Sequence, residues 1–142
     1  RLMDAMNRNF QLLLENKNFP MQIVEEDEQF IYKGRLSVTE DYVVDFAVSL
    51  LKSDDHTPGQ ILFNNVAYMD DGETREQWLE WINTFNLHHG LYYYFALEQD
   101  GRLFARHVTE VFHVEDFFNV LSKGGHVIRH VLSVLNEFRE IQ

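Results

Sequence analysis

The chain has 142 residues, with 12 lysines and arginines against 23 aspartates and glutamates, for a formal net charge of −11. That length suits a single domain, residues 1–142, with a sizeable core, and the acidic excess would repel a phosphate backbone, so nucleic acid is excluded as a partner. With no cysteine, a disulfide framework, a thiolate zinc site and a cysteine nucleophile are excluded too, and a reducing compartment is expected.

No apolar stretch approaches the ~20 residues of a membrane span, and the opening RLMDAMNRNF lacks the apolar core of a signal peptide. The expectation is a soluble, cytoplasmic protein with no membrane partner. A start on Arg1 rather than Met is what a piece of a longer chain would show. The acidic surface has two readings: simple solubility, or attraction of a basic segment on another protein.

Residues 2–16 predict a first helix, with Leu2, Met6, Leu13 and Met3, Phe10, Leu14 as an apolar stripe. Asn18 and Pro20 end it. Residues 21–24 read as a short strand, and 25–28 as an acidic turn. Beyond it Phe30, Tyr32, Leu36 and Val38 alternate with Ile31, Lys33, Arg35 and Ser37, the pattern of a strand with one wet face. Gly34 falls on the dry face, where a bulge or a close backbone approach is the usual cause. Residues 42–52 follow as a central strand, 53–60 (SDDHTPGQ) as a loop and 61–69 as another strand.

Residues 73–111 organise the rest. Trp78, Ile82 and Phe85 recur at helical spacing with Leu79 and Trp81 beside them. Thr74 and Gln77 have capping-box spacing, and Glu73 and Glu76 sit where the helix dipole favours negative charge. Asn86, His88, His89 and Gly90 stop the helix. Residues 91–97 form an unbroken apolar and aromatic strand, Asp100-Gly101 supplies a positive-φ turn pair, and 103–111 is the return strand. Alternation puts Tyr93 and Phe95 on one face and Tyr92 and Tyr94 on the other, where two tyrosines suit an interface.

Glu115 and Asp116 open a last helix, which Gly124-Gly125 interrupts as a hinge or tight bend. Val127, Val131, Val134, Phe138 and Ile141 then form an apolar face, widened by Ile128, Leu132 and Leu135. His126, Arg129, His130, Ser133, Glu137 and Glu140 lie opposite. No internal repeat, low-complexity tract or linker divides the chain. The order α-β-β-β(-β)-α-β-β-α, with connections mostly too short for a parallel crossover, predicts an α+β fold of an antiparallel sheet packed with helices.

This order, with Trp81-Ile82-Asn83-Thr84-Phe85-Asn86, Tyr92-Tyr93-Tyr94-Phe95-Ala96-Leu97, Asp100-Gly101-Arg102-Leu103 and Arg106-His107-Val108, resembles the YbjN-like family and the type III secretion chaperones that share its fold. In that family a helix with two asparagines three apart precedes a strand, an Asp-Gly turn and a strand. The resemblance implies a small acidic protein, a homodimer, that holds a segment of another protein, catalyses nothing and needs no cofactor. It also implies dimerisation through the middle helix and the following strand, here Trp81, Phe85, Tyr92 and Tyr94. Nothing in the chain points to a secretion system.

An alternative class is a small-molecule or metal-binding domain using surface histidines. His126 and His130 stand one helical turn apart, a spacing that suits one metal, but Val127 stands where a metalloprotease would have Glu and Arg129 lies alongside. A solvated helix face is the plainer reading. His88 and His89 suit the negative end of a helix dipole. Asp70-Asp71-Gly72 and Asp54-Asp55-His56 are read as turn and N-cap chemistry, and Gly124-Gly125 lacks the lysine of a phosphate loop. Seven histidines in an acidic chain make its charge sensitive to pH between about 5 and 7, and a change of dimer or partner affinity over that range is the expectation.

Overall fold

A computed structural model describes residues 3–141; Leu2, expected in the first helix, lies outside them. The elements run α1 (Ala5–Asn16), β1 (Gln22–Glu25), β2 (Gln29–Ser37), β3 (Val43–Leu51), β4 (Thr57–Tyr68), α2 (Arg75–His89), β5 (Tyr94–Leu97), β6 (Arg102–Val111) and α3 (Val114–Ile141). This is the expected α+β order with four strands before the middle helix. All strand pairs are antiparallel, in one sheet of order β1-β2-β3-β4-β6-β5. No helix among the described residues is long and apolar enough to cross a membrane.

Strand alternation decides where the core lies. Along β3, Val44, Phe46, Val48 and Leu50 are buried while the residues between them are exposed or half-buried. Helix side chains meet this same face: Phe10 of α1 lies 4.9 Å from Tyr32 and 5.7 Å from Phe117 of α3, ring centre to ring centre, and Phe85 of α2 lies 5.3 Å from Phe95. The helices therefore form one layer, with α1 towards β2 and β3 and α2 at the β5 edge. The other sheet face carries Lys33, Arg35, Asp45, Gln60 and Arg106, and none of the described helices lies on it.

The first helix begins at Ala5 because Asp4 caps it, accepting from the Asn7 backbone N–H at 3.1 Å. Met6, Phe10 and Leu14 of the expected stripe are buried, whereas Met3 is exposed. Gly34 marks a close approach, as its position on the dry face suggested: a Cβ there would lie 2.4 Å from Cζ of its cross-strand partner Phe46.

The structure corrects several details. Gly124-Gly125 does not interrupt the last helix, which runs unbroken for 28 residues. The pair marks its closest passage over the sheet, since a Cβ on Gly124 would stand 2.3 Å from Phe63 Cζ. The buried row of α3 runs through Phe117, Leu121, Gly124, Ile128, Val131 and Leu135. Val127, Val134 and Phe138 flank it, half-buried, and Ile141 is exposed.

The supposed loop 53–60 is shorter than expected, because β4 starts at Thr57 and includes Pro58. Pro58 pairs with Glu110 of β6 but lies past the last β3 pair, Leu50↔Gly59, so one side of it needs no donor. The strand expected over 91–97 begins only at Tyr94, because Tyr92 has φ +71° and turns the chain. At the hairpin, Gly101 alone has positive φ (+86°), with Asp100 accepting from the Arg102 N–H. The connection is a four-residue loop closed by Glu98 N–H to Arg102 C=O at 2.8 Å, which needs one left-handed residue rather than two.

Candidate functional site

The middle helix is set from its N-terminus. Thr74 and Gln77 form the expected capping box, and Glu73 just before it binds three partners. Its carboxylate accepts from the Asp70 N–H (2.7 Å), the Trp78 indole N–H (3.1 Å) and Arg139 Nε of α3 (2.9 Å). Chiefly through the Arg139 guanidinium, the Glu73 carboxyl is held below the usual carboxylate range. Arg139 also donates to the Tyr68 carbonyl and covers the Trp78 ring. The end of α3 is thereby fastened to the start of α2, and the two helices run antiparallel.

At the other end of α2 the side-chain amide of Asn86 pairs with the Phe95 backbone, and the Phe85 ring lies 5.5 Å from that of His130 on α3. Between these two attachments the helices leave an open groove of about 830 Å³. Trp81, Phe85, Val134 and Phe138 make its apolar floor, with Trp81 and Phe138 rings 5.8 Å apart. Glu76, Glu80 and Thr84 form the α2 lip, and His88 and His89 close one end. The Trp81 indole N–H is buried with no acceptor among the described residues.

The four residues expected at an interface do not form one patch. Trp81 (9% exposed) and Phe85 (2%) are buried within the single chain and contribute the groove floor. Tyr92 (41%) and Tyr94 (39%) are exposed. Lys123 of α3 lies over the Tyr92 ring, whereas Tyr94 is on the uncovered sheet face, where its hydroxyl accepts from Arg106 Nε. Tyr93 and Phe95 are buried, as alternation required. Burial pushes the Tyr93 hydroxyl up in pKa, and it donates to the Val120 carbonyl at 2.7 Å.

The histidines pair differently from their sequence spacing. His126 and His130 are both exposed on α3, but His130 packs against His89 of α2, with ring centres 4.9 Å apart. No group of three or more histidine or carboxylate side chains that would hold a metal occurs among the described residues. His88 and His89 occupy the last turn of α2, where the dipole favours a cation. Asp54 accepts from the Ala5 N–H at the start of α1 and Gly72 takes φ +86°, which are the cap and turn roles expected of those segments. His56 bonds Glu110 at 2.6 Å and stacks on Phe112. The Glu110 bond, above all, raises its pKa.

Sequence reasoning missed Val134 and Phe138 as partners of Trp81, and Glu76 and Glu80 as a lip. The i, i+4 spacing of each pair was visible, but which helix α2 would lie beside was not. What the geometry defines is a class: an α+β domain with one antiparallel sheet, a single helix layer, and an apolar, acid-lipped groove between two of its helices. No protein-family model, curated protein or solved structure matches the chain.

Proposed function

We propose that this domain is a non-enzymatic protein-interaction module, chaperone-like or regulatory, that receives a segment of another chain in the groove between α2 and α3. The observation that carries this reading is the floor of Trp81, Phe85, Val134 and Phe138, apolar and open along the line where two helices part. Apolar grooves between helices are where amphipathic segments dock, and aromatic anchors supply most of the energy there. Under the same proposal the protein works as a homodimer, in line with the resemblance to YbjN-like and type III secretion chaperone folds. The exposed Tyr92 and Tyr94 at the β5 end supply contact area for a second copy, while Trp81 and Phe85 serve the groove.

The test is a photo-crosslinking amino acid placed at Thr84, on the groove lip, and separately at Glu26, in the turn between β1 and β2 at the far edge of the sheet. Adducts with another protein from the Thr84 position only are the expected result; equal labelling from both positions, or none, removes the reading. Light scattering tests the dimer separately, with an expected mass twice the 16.9 kDa of one chain. A mass of one chain at micromolar concentration removes that part.

A further inference from the structure

The charges around the α2/α3 groove select among protein segments, a selection that rests on the proposal that the groove is a docking site. On α2, Glu76 and Glu80 stand on the lip one turn apart, about 6 Å along the axis. Glu137 is exposed beside Phe138 on α3. None of the three lies within ion-pair distance of a cationic side chain among the described residues. The guanidinium groups nearest the groove are committed elsewhere. Arg75 donates to the Leu97 and Glu98 carbonyls, and Arg139 to Glu73 and Tyr68. The fold thus uses these cations to hold α2 in place and leaves the lip carboxylates without a counter-charge among the described residues.

A second copy of this chain would bring the same lip and the same net charge of −11, so the groove repels itself. A basic segment is attracted to it. We infer that the groove's occupant is a basic amphipathic helix of another protein. Its apolar residues, at helical spacing, rest on the floor, and its lysine or arginine side chains reach Glu76 and Glu80. A helix fits because the floor is made of two rows, Trp81 and Phe85 from α2 and Val134 and Phe138 from α3, each pair four residues apart, and a third helix packs its ridge between two such rows. From Thr74 to His89 the groove runs about 22 Å at 1.5 Å per residue, the length of about four helical turns. The basic end of the occupant lies over Glu76 and Glu80, the part of the groove where the lining carboxylates stand.

The test uses two synthetic amphipathic peptides of about four turns, identical in their leucines, one with lysine and one with glutamate on the polar face. Binding is measured by calorimetry and by tryptophan emission, for which Trp81 is a reporter on the floor. The lysine peptide should bind. The double variant E76Q/E80Q should weaken it about tenfold, as two exposed ion pairs allow. E26Q/D27N, which removes the same charge at the far sheet edge, should change it less than about twofold, and Thr84→Arg should block it. If the glutamate peptide binds as well as the lysine peptide and Thr84→Arg stops both, the groove is a docking site but the basic occupant is wrong. If E26Q/D27N weakens binding as much as E76Q/E80Q, the attraction is general and the assignment of the lip fails. If neither peptide binds, or Thr84→Arg changes nothing, the docking proposal itself falls.

Discussion

The side chain of Asn86 pairs with the backbone of Phe95 like a neighbouring strand: its Oδ1 accepts from the Phe95 N–H and its Nδ2 donates to the Phe95 carbonyl, both at 2.9 Å. β5 is the last strand of the sheet, so its outer edge would otherwise present a bare donor and acceptor to other chains. Asn65 does the same inside the sheet, accepting from the Asp45 N–H at 2.7 Å and donating to the Val43 carbonyl. It sits between Phe63 and Ala67, where the β4–β6 register shifts.

Asn86→Leu leaves both Phe95 groups unpaired and should cost about 2 kcal/mol in urea unfolding. It should also raise light scattering on storage, because the β5 edge is no longer covered. Asn86→Asp keeps the acceptor but turns a carboxylate oxygen on the Phe95 carbonyl. It should be at least as destabilised as the leucine variant; a smaller loss would show that the pairing matters little.

Gly124→Ala and Gly125→Ala should differ although they are neighbours. Each removes a glycine from a helix interior, a gain of up to about 1 kcal/mol. At Gly124 the new Cβ would stand 2.3 Å from Phe63 Cζ, a core ring, so overpacking outweighs that gain and a net loss of about 1–2 kcal/mol is expected. At Gly125 the nearest atoms are Arg129 Nη1 at 3.0 Å and Leu36 Cδ1 at 3.3 Å, both on side chains that turn aside. The result should be within about 0.5 kcal/mol of neutral. Phe63→Leu should recover part of the Gly124→Ala loss in a double-mutant cycle.

The Glu73–Arg139 pair should give acid sensitivity with a definite sign. Because the folded-state pKa of Glu73 lies below its ordinary 4.5, its contribution is complete above 4.5 and is lost as pH falls through the folded value. Glu73→Gln should therefore flatten the stability profile below about pH 4.5. At neutral pH it should cost about 1–2 kcal/mol, because the charged partner of the Arg139 and Trp78 donors is gone. A thermal-melting series across acid pH that is the same for both proteins would refute this.

His56 should show the opposite sign. Its folded-state pKa lies above the ordinary 6.5, first through the bond to Glu110. Its stabilisation is present below 6.5 and fades as pH rises through the folded value. The His56 ring resonances in an NMR titration should move at a higher pH than in Glu110→Gln.

Much of the fold was legible because its cues are local. The capping box at Thr74 and Gln77, the alternation of Phe30 and Tyr32 with Ile31 and Lys33, and the opposite facing of Tyr94 and Phe95 each depend on neighbours a few residues away. Gly124-Gly125 was misread for the same reason. Two glycines in a helical pattern mean a break by propensity, and only Phe63, some sixty residues earlier, shows that they mean contact instead.

The sequence by itself determined the element order and the antiparallel class, because periodicity and turn chemistry act within one turn or one strand. Tertiary structure alone decided that β6 inserts between β4 and β5, that His89 meets His130, and that Trp81 faces Phe138 across a groove lipped by Glu76 and Glu80. Those relationships depend on which surfaces lie side by side. That is set by long-range packing and by ties such as Arg139 to Glu73, 66 residues apart, for which the spacing of residues along the chain carries no signal.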